Sequence, residues 1–104
     1  MSMKNALKKM LKNYVFKDMK IEDFEVQEHE TDDDDTKKYE VNVYFHGGTP
    51  VATTIQCRKK IKDIMSMMGF TSLQDNLYHW SERDKVIARV VGTKIKPEDY
   101  DNGD

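Results

Sequence analysis

The sequence predicts an α+β fold, and three observations carry the prediction. Apolar residues recur at helical spacing in two stretches, period-two alternation fills the residues between them, and clusters of Gly, Pro, Asp and Thr punctuate the strands. The expected order is helix, three-stranded antiparallel meander, helix and C-terminal β-hairpin, with the helices packed on one face of the sheet. A chain of 104 residues has material for one hydrophobic core, so residues 1–96 are read as a single domain. Residues 97–104 hold four acids and are read as an acidic disordered tail.

Met3, Leu7, Met10, Leu11 and Tyr14 fall on one stripe of a helix over residues 3–14, and Lys4, Lys8, Lys9 and Lys12 take the other faces. From Ile21 the period drops to two. Phe24 and Val26 share one face, with Asp23, Glu25, Gln27 and His29 opposite, which describes a strand to about Glu30 with an acidic outer side. Residues 31–36 read as a solvated connection. Tyr39, Val41, Val43 and Phe45 then alternate with Lys38, Glu40, Asn42, Tyr44 and His46 in the clearest strand of the chain.

After the turn Gly47, Gly48, Thr49, Pro50, the residues Val51, Thr53, Ile55 and Cys57 alternate with Ala52, Thr54 and Gln56 and are read as the third strand. Ile61, Ile64, Met65 and Met68 restore the helical period over residues 58–68, and Gly69 is a stop signal. Residues 77–80 and 85–91 form a hairpin around Ser81, Glu82, Arg83 and Asp84; Leu73, Leu77 and Trp80 also fit a helix.

Charge is segregated along the chain. Residues 21–40 hold ten carboxylates against two lysines, a local charge of −8 in a chain whose net charge is −2, while the flanking segments are basic. The single Cys57 excludes an internal disulfide and points to a reducing compartment, so a cytoplasmic protein is expected. No run of apolar residues is long enough for a signal peptide or a membrane span.

Candidate partner-binding residues are Asp23, Glu25, Glu28, Glu30, Asp32, Asp33, Asp34, Asp35 and Glu40, which lie on and beside one predicted hairpin. Carboxylates on alternate strand positions stand about 6.6 to 6.8 Å apart, close to the spacing of successive phosphates along a nucleic-acid strand. The bland alternative is a solubilising loop beside a charged edge strand. Calcium fits poorly: Asp32 to Asp35 are consecutive, no glycine makes the sharp turn, and Val43 stands where the twelfth loop position needs glutamate. His29, His46, His79 and Cys57 are scattered, with neither C-x-x-C nor H-E-x-x-H, so no metal is expected. Without G-x-S-x-G or a phosphate-binding glycine loop, no enzyme and no cofactor are expected either. Met67, with Tyr44, Tyr78 or Trp80, suggests a homodimer contact.

Arg58, Lys59, Lys60 and Lys62 open the second helix and make a rival surface, because a helix N-terminus favours phosphate. Helix, three strands and a lysine-led helix over residues 3–68 resemble the double-stranded-RNA-binding domain. That resemblance implies an alternative function in nucleic-acid binding. The acid-coated segment from Ile21 to Glu30, followed by Asp32 to Asp35, in a small lysine- and methionine-rich chain, resembles in type the acidic DNA-mimic proteins by which lytic bacteriophages take over a host, such as inhibitors of the nucleoid protein HU. That resemblance implies a protein that works in the bacterial cytoplasm, binds no nucleic acid or membrane itself, and competes with DNA for a basic DNA-binding protein.

Overall fold

The computed structural model describes residues 2–80, 82 and 85–96. It has two α-helices and four strands in the order α1 (Met3–Tyr14), β1 (Asp23–Glu30), β2 (Thr36–Tyr44), α2 (Val51–Met67), β3 (Thr71–Trp80) and β4 (Lys85–Ile95). The expected acidic tail, residues 97–104, lies outside the described residues, as do Ser81, Arg83 and Asp84 of the expected hairpin turn. The fold is α+β as predicted, with four strands where the sequence suggested five.

Helix α1 starts where Ser2 accepts the Asn5 N–H at 3.2 Å, a side-chain cap for an otherwise unpartnered amide. Leu7 and Leu11, one turn apart, are fully buried, and Val15 just beyond the helix continues their stripe. Tyr14, placed on that stripe by the sequence reading, is exposed instead. A single 3-10 turn over Phe16–Asp18 follows, and the Phe16 ring packs 4.6 Å from that of Phe24. This contact ties the end of α1 to β1.

The third strand expected over residues 51–57 is corrected: these residues are the first two turns of α2. The alternation of Val51, Thr53, Ile55 and Cys57 imitates a strand, but the buried set is Thr54, Cys57, Ile61, Ile64 and Met65, which is helical spacing. Burial of that stripe outweighs the modest helix cost of Thr53, Thr54 and Ile55. The Thr54 hydroxyl is satisfied locally by donating to the Val51 carbonyl at 2.7 Å. The double-stranded-RNA-binding arrangement needs three strands between its helices, and this chain has two. Gly69, at φ +90°, ends the helix, and the Phe70 N–H turns back to the Met65 carbonyl at 2.9 Å.

All four strands are antiparallel and the sheet order is β1-β2-β4-β3. Because α2 carries the chain away from β2, the returning β3–β4 hairpin inserts β4 beside β2 and leaves β1 and β3 as the edges. Residues 71–80 form a strand throughout, and β4 extends four residues past the sequence expectation. Val26, Tyr39, Val41, Val43, Ala88 and Val90 point to the side where Leu7, Leu11, Cys57, Ile61 and Met65 meet them, so both helices cover one face of the sheet. Gly92 is small for a reason: a Cβ there would stand 2.7 Å from Leu73 Cδ2 and 2.9 Å from Met65 Cε. Among the described residues no helix is long and apolar enough to cross a membrane.

Candidate functional site

The β1–β2 register decides where the acidic residues go. Phe24 opposes Val43 and Val26 opposes Val41 on the helix side, so Glu28 and Glu30 share that side, opposite Tyr39 and Lys37. Asp23, Glu25 and Glu40 lie on the other, helix-free face. The nine nominated carboxylates therefore do not form one ribbon; they divide between two faces and the turn that joins the strands.

Most of the strand carboxylates are engaged within the chain. Glu28 accepts from the Tyr39 hydroxyl at 2.9 Å and lies 3.6 Å from Lys37 Nζ. Glu30 sits between Lys37 at 4.0 Å and Lys96 at 3.4 Å. On the open face Glu40 accepts from Asn42 at 2.8 Å and has Arg89 at 3.6 Å and His29 at 3.7 Å. Glu25 accepts from the Tyr44 hydroxyl at 2.8 Å, from Gln27 at 3.2 Å and from Asn42 at 3.4 Å. Asn42 and Arg89, which the sequence reading did not nominate, organise this network; polar residues at the centres of two alternating strands were the available signal.

The turn is different. Asp32, Asp33, Asp34 and Asp35 are all exposed, and among the described residues no basic side chain comes within ion-pair distance of them. Their backbone is fixed: Thr31 donates to the Asp33 carbonyl at 2.7 Å, Asp33 Oδ1 accepts from the Asp35 N–H at 2.9 Å, and the Thr36 N–H returns to the Asp33 carbonyl at 3.1 Å. The Asp35 carbonyl accepts from the Lys96 N–H at 2.8 Å, which anchors the turn to the end of β4. Four carboxylates are thus held outward on a braced loop.

The basic residues at the start of the second predicted helix lie mid-way along α2, away from its free amides. Arg58 and Lys62 turn toward the sheet and hold Asp75 of β3 at 3.0 and 2.8 Å. The Lys62 hydrogen bond, with Arg58 beside it, keeps the Asp75 carboxyl below its ordinary range despite burial. Lys59 and Lys60 are exposed. A cleft of about 600 Å³ between the end of α1 and the start of α2 is lined by Asp18, Lys20, His46, Thr53 and Lys60, among others. His46 also lies 3.9 Å from Glu22, which pairs with Lys85.

Comparison with protein-family models, curated proteins and solved structures finds no match for this chain. Among the described residues no three His, Cys, Asp or Glu side chains are arranged to hold a metal ion. Cys57 is fully buried on the inner face of α2, and burial pushes its thiol up to about 12, so it is the neutral thiol at physiological pH. Burial, then the hydrogen bond to Glu25, raise the Tyr44 hydroxyl to about 12 as well, which keeps it a donor.

Proposed function

We propose that this protein is a non-enzymatic interaction module whose acidic hairpin binds a basic, DNA-binding protein and competes there with DNA. The observation that carries the reading is the contrast between the strand carboxylates, held by Lys37, Lys96, Arg89 and Asn42, and the exposed Asp32–Asp35 turn, which no cation of the described chain neutralises. A carboxylate already paired has little field left for a partner; an unpaired one projects it into solvent over about a Debye length.

Charge density supports the same conclusion. Four consecutive carboxylates, all exposed, stand on one turn closed by the Thr36 N–H to Asp33 carbonyl bond, so their fields add over a few ångströms of chain. Asp23, also without an ion pair among the described residues, stands at the opposite end of β1 from the turn and contributes a separate, weaker negative point. Glu25, Glu28, Glu30 and Glu40 act in this reading as supports that fix the hairpin, with their outer oxygens adding a weaker background potential. A lytic-phage protein that displaces DNA from a host nucleoid protein such as HU, in the bacterial cytoplasm, is the biological form we propose.

A second reading rests on one observation: Lys59 and Lys60 are exposed on α2, on a helical layer that also presents Lys9, Lys12, Lys17 and Lys20. That layer would grip phosphates directly.

One titration separates the two. Purified HU is bound to a labelled duplex and increasing amounts of this protein are added, with the duplex and this protein alone as the control. The proposal expects displacement of the duplex from HU, weakening with salt, and no shift in the control. Retention of the HU–duplex complex at large excess overturns it. A shift in the control that disappears in Lys59→Gln with Lys60→Gln supports the second reading.

A further inference from the structure

The two edges of the sheet are guarded unequally. β1 carries Asp23, Glu25, Glu28 and Glu30, which repel a second β1 and discourage edge pairing. β3 is ten residues long and has one charged side chain, Asp75, already neutralised by Arg58 and Lys62 of the same chain. It contains no proline and no lysine. Past the bulge between Thr71 and Gln74, where Ser72 has φ +53°, its outer row of backbone N–H and C=O groups over residues 74–80 is a template for another strand.

Helix α2 adds an apolar shelf along that edge. Arg58 and Lys62 reach Asp75, so their flank of the helix faces β3. Ile55 lies three residues before Arg58 and seven before Lys62, and Val51 seven before Arg58, which places both on the same flank. They are 54% and 65% exposed, among the most exposed large apolar residues described. Since α2 runs antiparallel to β3, with Arg58 and Lys62 over Asp75, the shelf lies beside the Leu77 half of the strand.

We propose that β3 is a self-association edge: two copies pair β3 with β3 antiparallel about a two-fold axis at Leu77, extending the sheet from four strands to eight. Self-complementarity selects the register. An axis at Asp75 would crowd two Asp75–Arg58–Lys62 clusters against each other, and an axis at Asn76 would set Asp75 against Leu77. An axis at Leu77 sets Leu77 against its own copy, Asp75 against the second copy's His79, and Asn76 against the second copy's Tyr78. Leu77, Asp75 and His79 lie on the helix side, where Ile55 and Val51 of both copies then meet around the axis. The contact closes on itself, as a two-fold pairing must. Because β1 is the opposite edge, the dimer presents its two acidic hairpins at its far ends.

Light scattering after size exclusion, from micromolar to millimolar concentration, tests it. The expected mass rises toward twice the 12.2 kDa of one chain, and Ile55→Glu with Tyr78→Lys returns it to one chain with an unchanged circular dichroism spectrum. A mixture of Asn76→Cys and Tyr78→Cys chains under a mild oxidant should give a covalent dimer; Cys57, fully buried, stays silent. A wild-type mass of one chain throughout the range overturns the proposal. So does a dimer that survives both substitutions and gives no 76–78 cross-link.

Discussion

Arg89 Nε donates to Asn42 Oδ1 at 2.9 Å across the β2–β4 pair, where the register sets the two residues directly opposite. Asn42 is only 3% exposed although it lies on the sheet face that no helix covers. Its amide nitrogen serves Glu40 and Glu25, and Tyr44 completes the Glu25 shell. No buried side-chain polar atom among the described residues is left without a partner. This network draws Glu25 and Glu40 inward, and although Glu25 and Asp23 also keep their charge, the Asp32–Asp35 turn is where exposed carboxylates without an ion pair among the described residues stand side by side.

Asn42→Ala removes the amide that links Glu40, Glu25 and Arg89. Stability should fall by about 1–3 kcal/mol, the cost of leaving partly buried partners unsatisfied. Urea unfolding checks this, with an unchanged slope showing that the folded state keeps its compactness.

Tyr44 gives an alkaline signature. Its hydroxyl titrates near 12 when folded, above the ordinary 10.0, because burial and the Glu25 bond disfavour the phenolate. A raised folded value contributes stability that is fully present below 10 and lost as pH rises through 12. Urea midpoints of the wild type should therefore drop across that window more than those of Tyr44→Phe.

Asp75 gives the acid counterpart. Its carboxyl is held below 3.8 by Lys62 first, then Arg58, so its contribution is present above that value and lost as pH falls through the folded one. Asp75→Asn should lose about 1 kcal/mol at neutral pH, since the pair is partly exposed. Its stability should also depend less on pH at the acid end, as thermal melts in a pH series would reveal.

Gly92→Ala places a methyl against Leu73, Met65 and the Phe70 Cβ, the last at 3.3 Å. The first two are flexible ends and yield; the third belongs to a buried ring that packs edge-on against Tyr39 at 5.2 Å. A loss of about 1–3 kcal/mol is expected from overpacking, read as a lower thermal midpoint.

Much of this architecture was legible in the chain. Tyr39, Val41, Val43 and Phe45 alternate cleanly and are all buried, and Leu7 and Leu11 are the core of α1 as their spacing requires. Residues 51–57 misled because two regular patterns overlap there. Within the alternating set Val51 and Ile55 are exposed and only Cys57 is buried, while Thr54, from the opposite set, is buried with it. Only the longer helical stripe through Ile61 and Ile64 separates the two. The pairing of the acids was illegible for another reason: Lys96 and Arg89 reach Glu30 and Glu40 from β4 and its end, and local charge counts carry no information about a strand so far along the chain.

The most direct measurement compares wild type with the quadruple variant Asp32→Asn, Asp33→Asn, Asp34→Asn and Asp35→Asn in displacement of a labelled duplex from purified HU. At least a tenfold loss of displacing power is expected, the two curves converging as salt is raised, with the thermal midpoint of the variant unchanged. Equal displacement by the variant would contradict the proposed function.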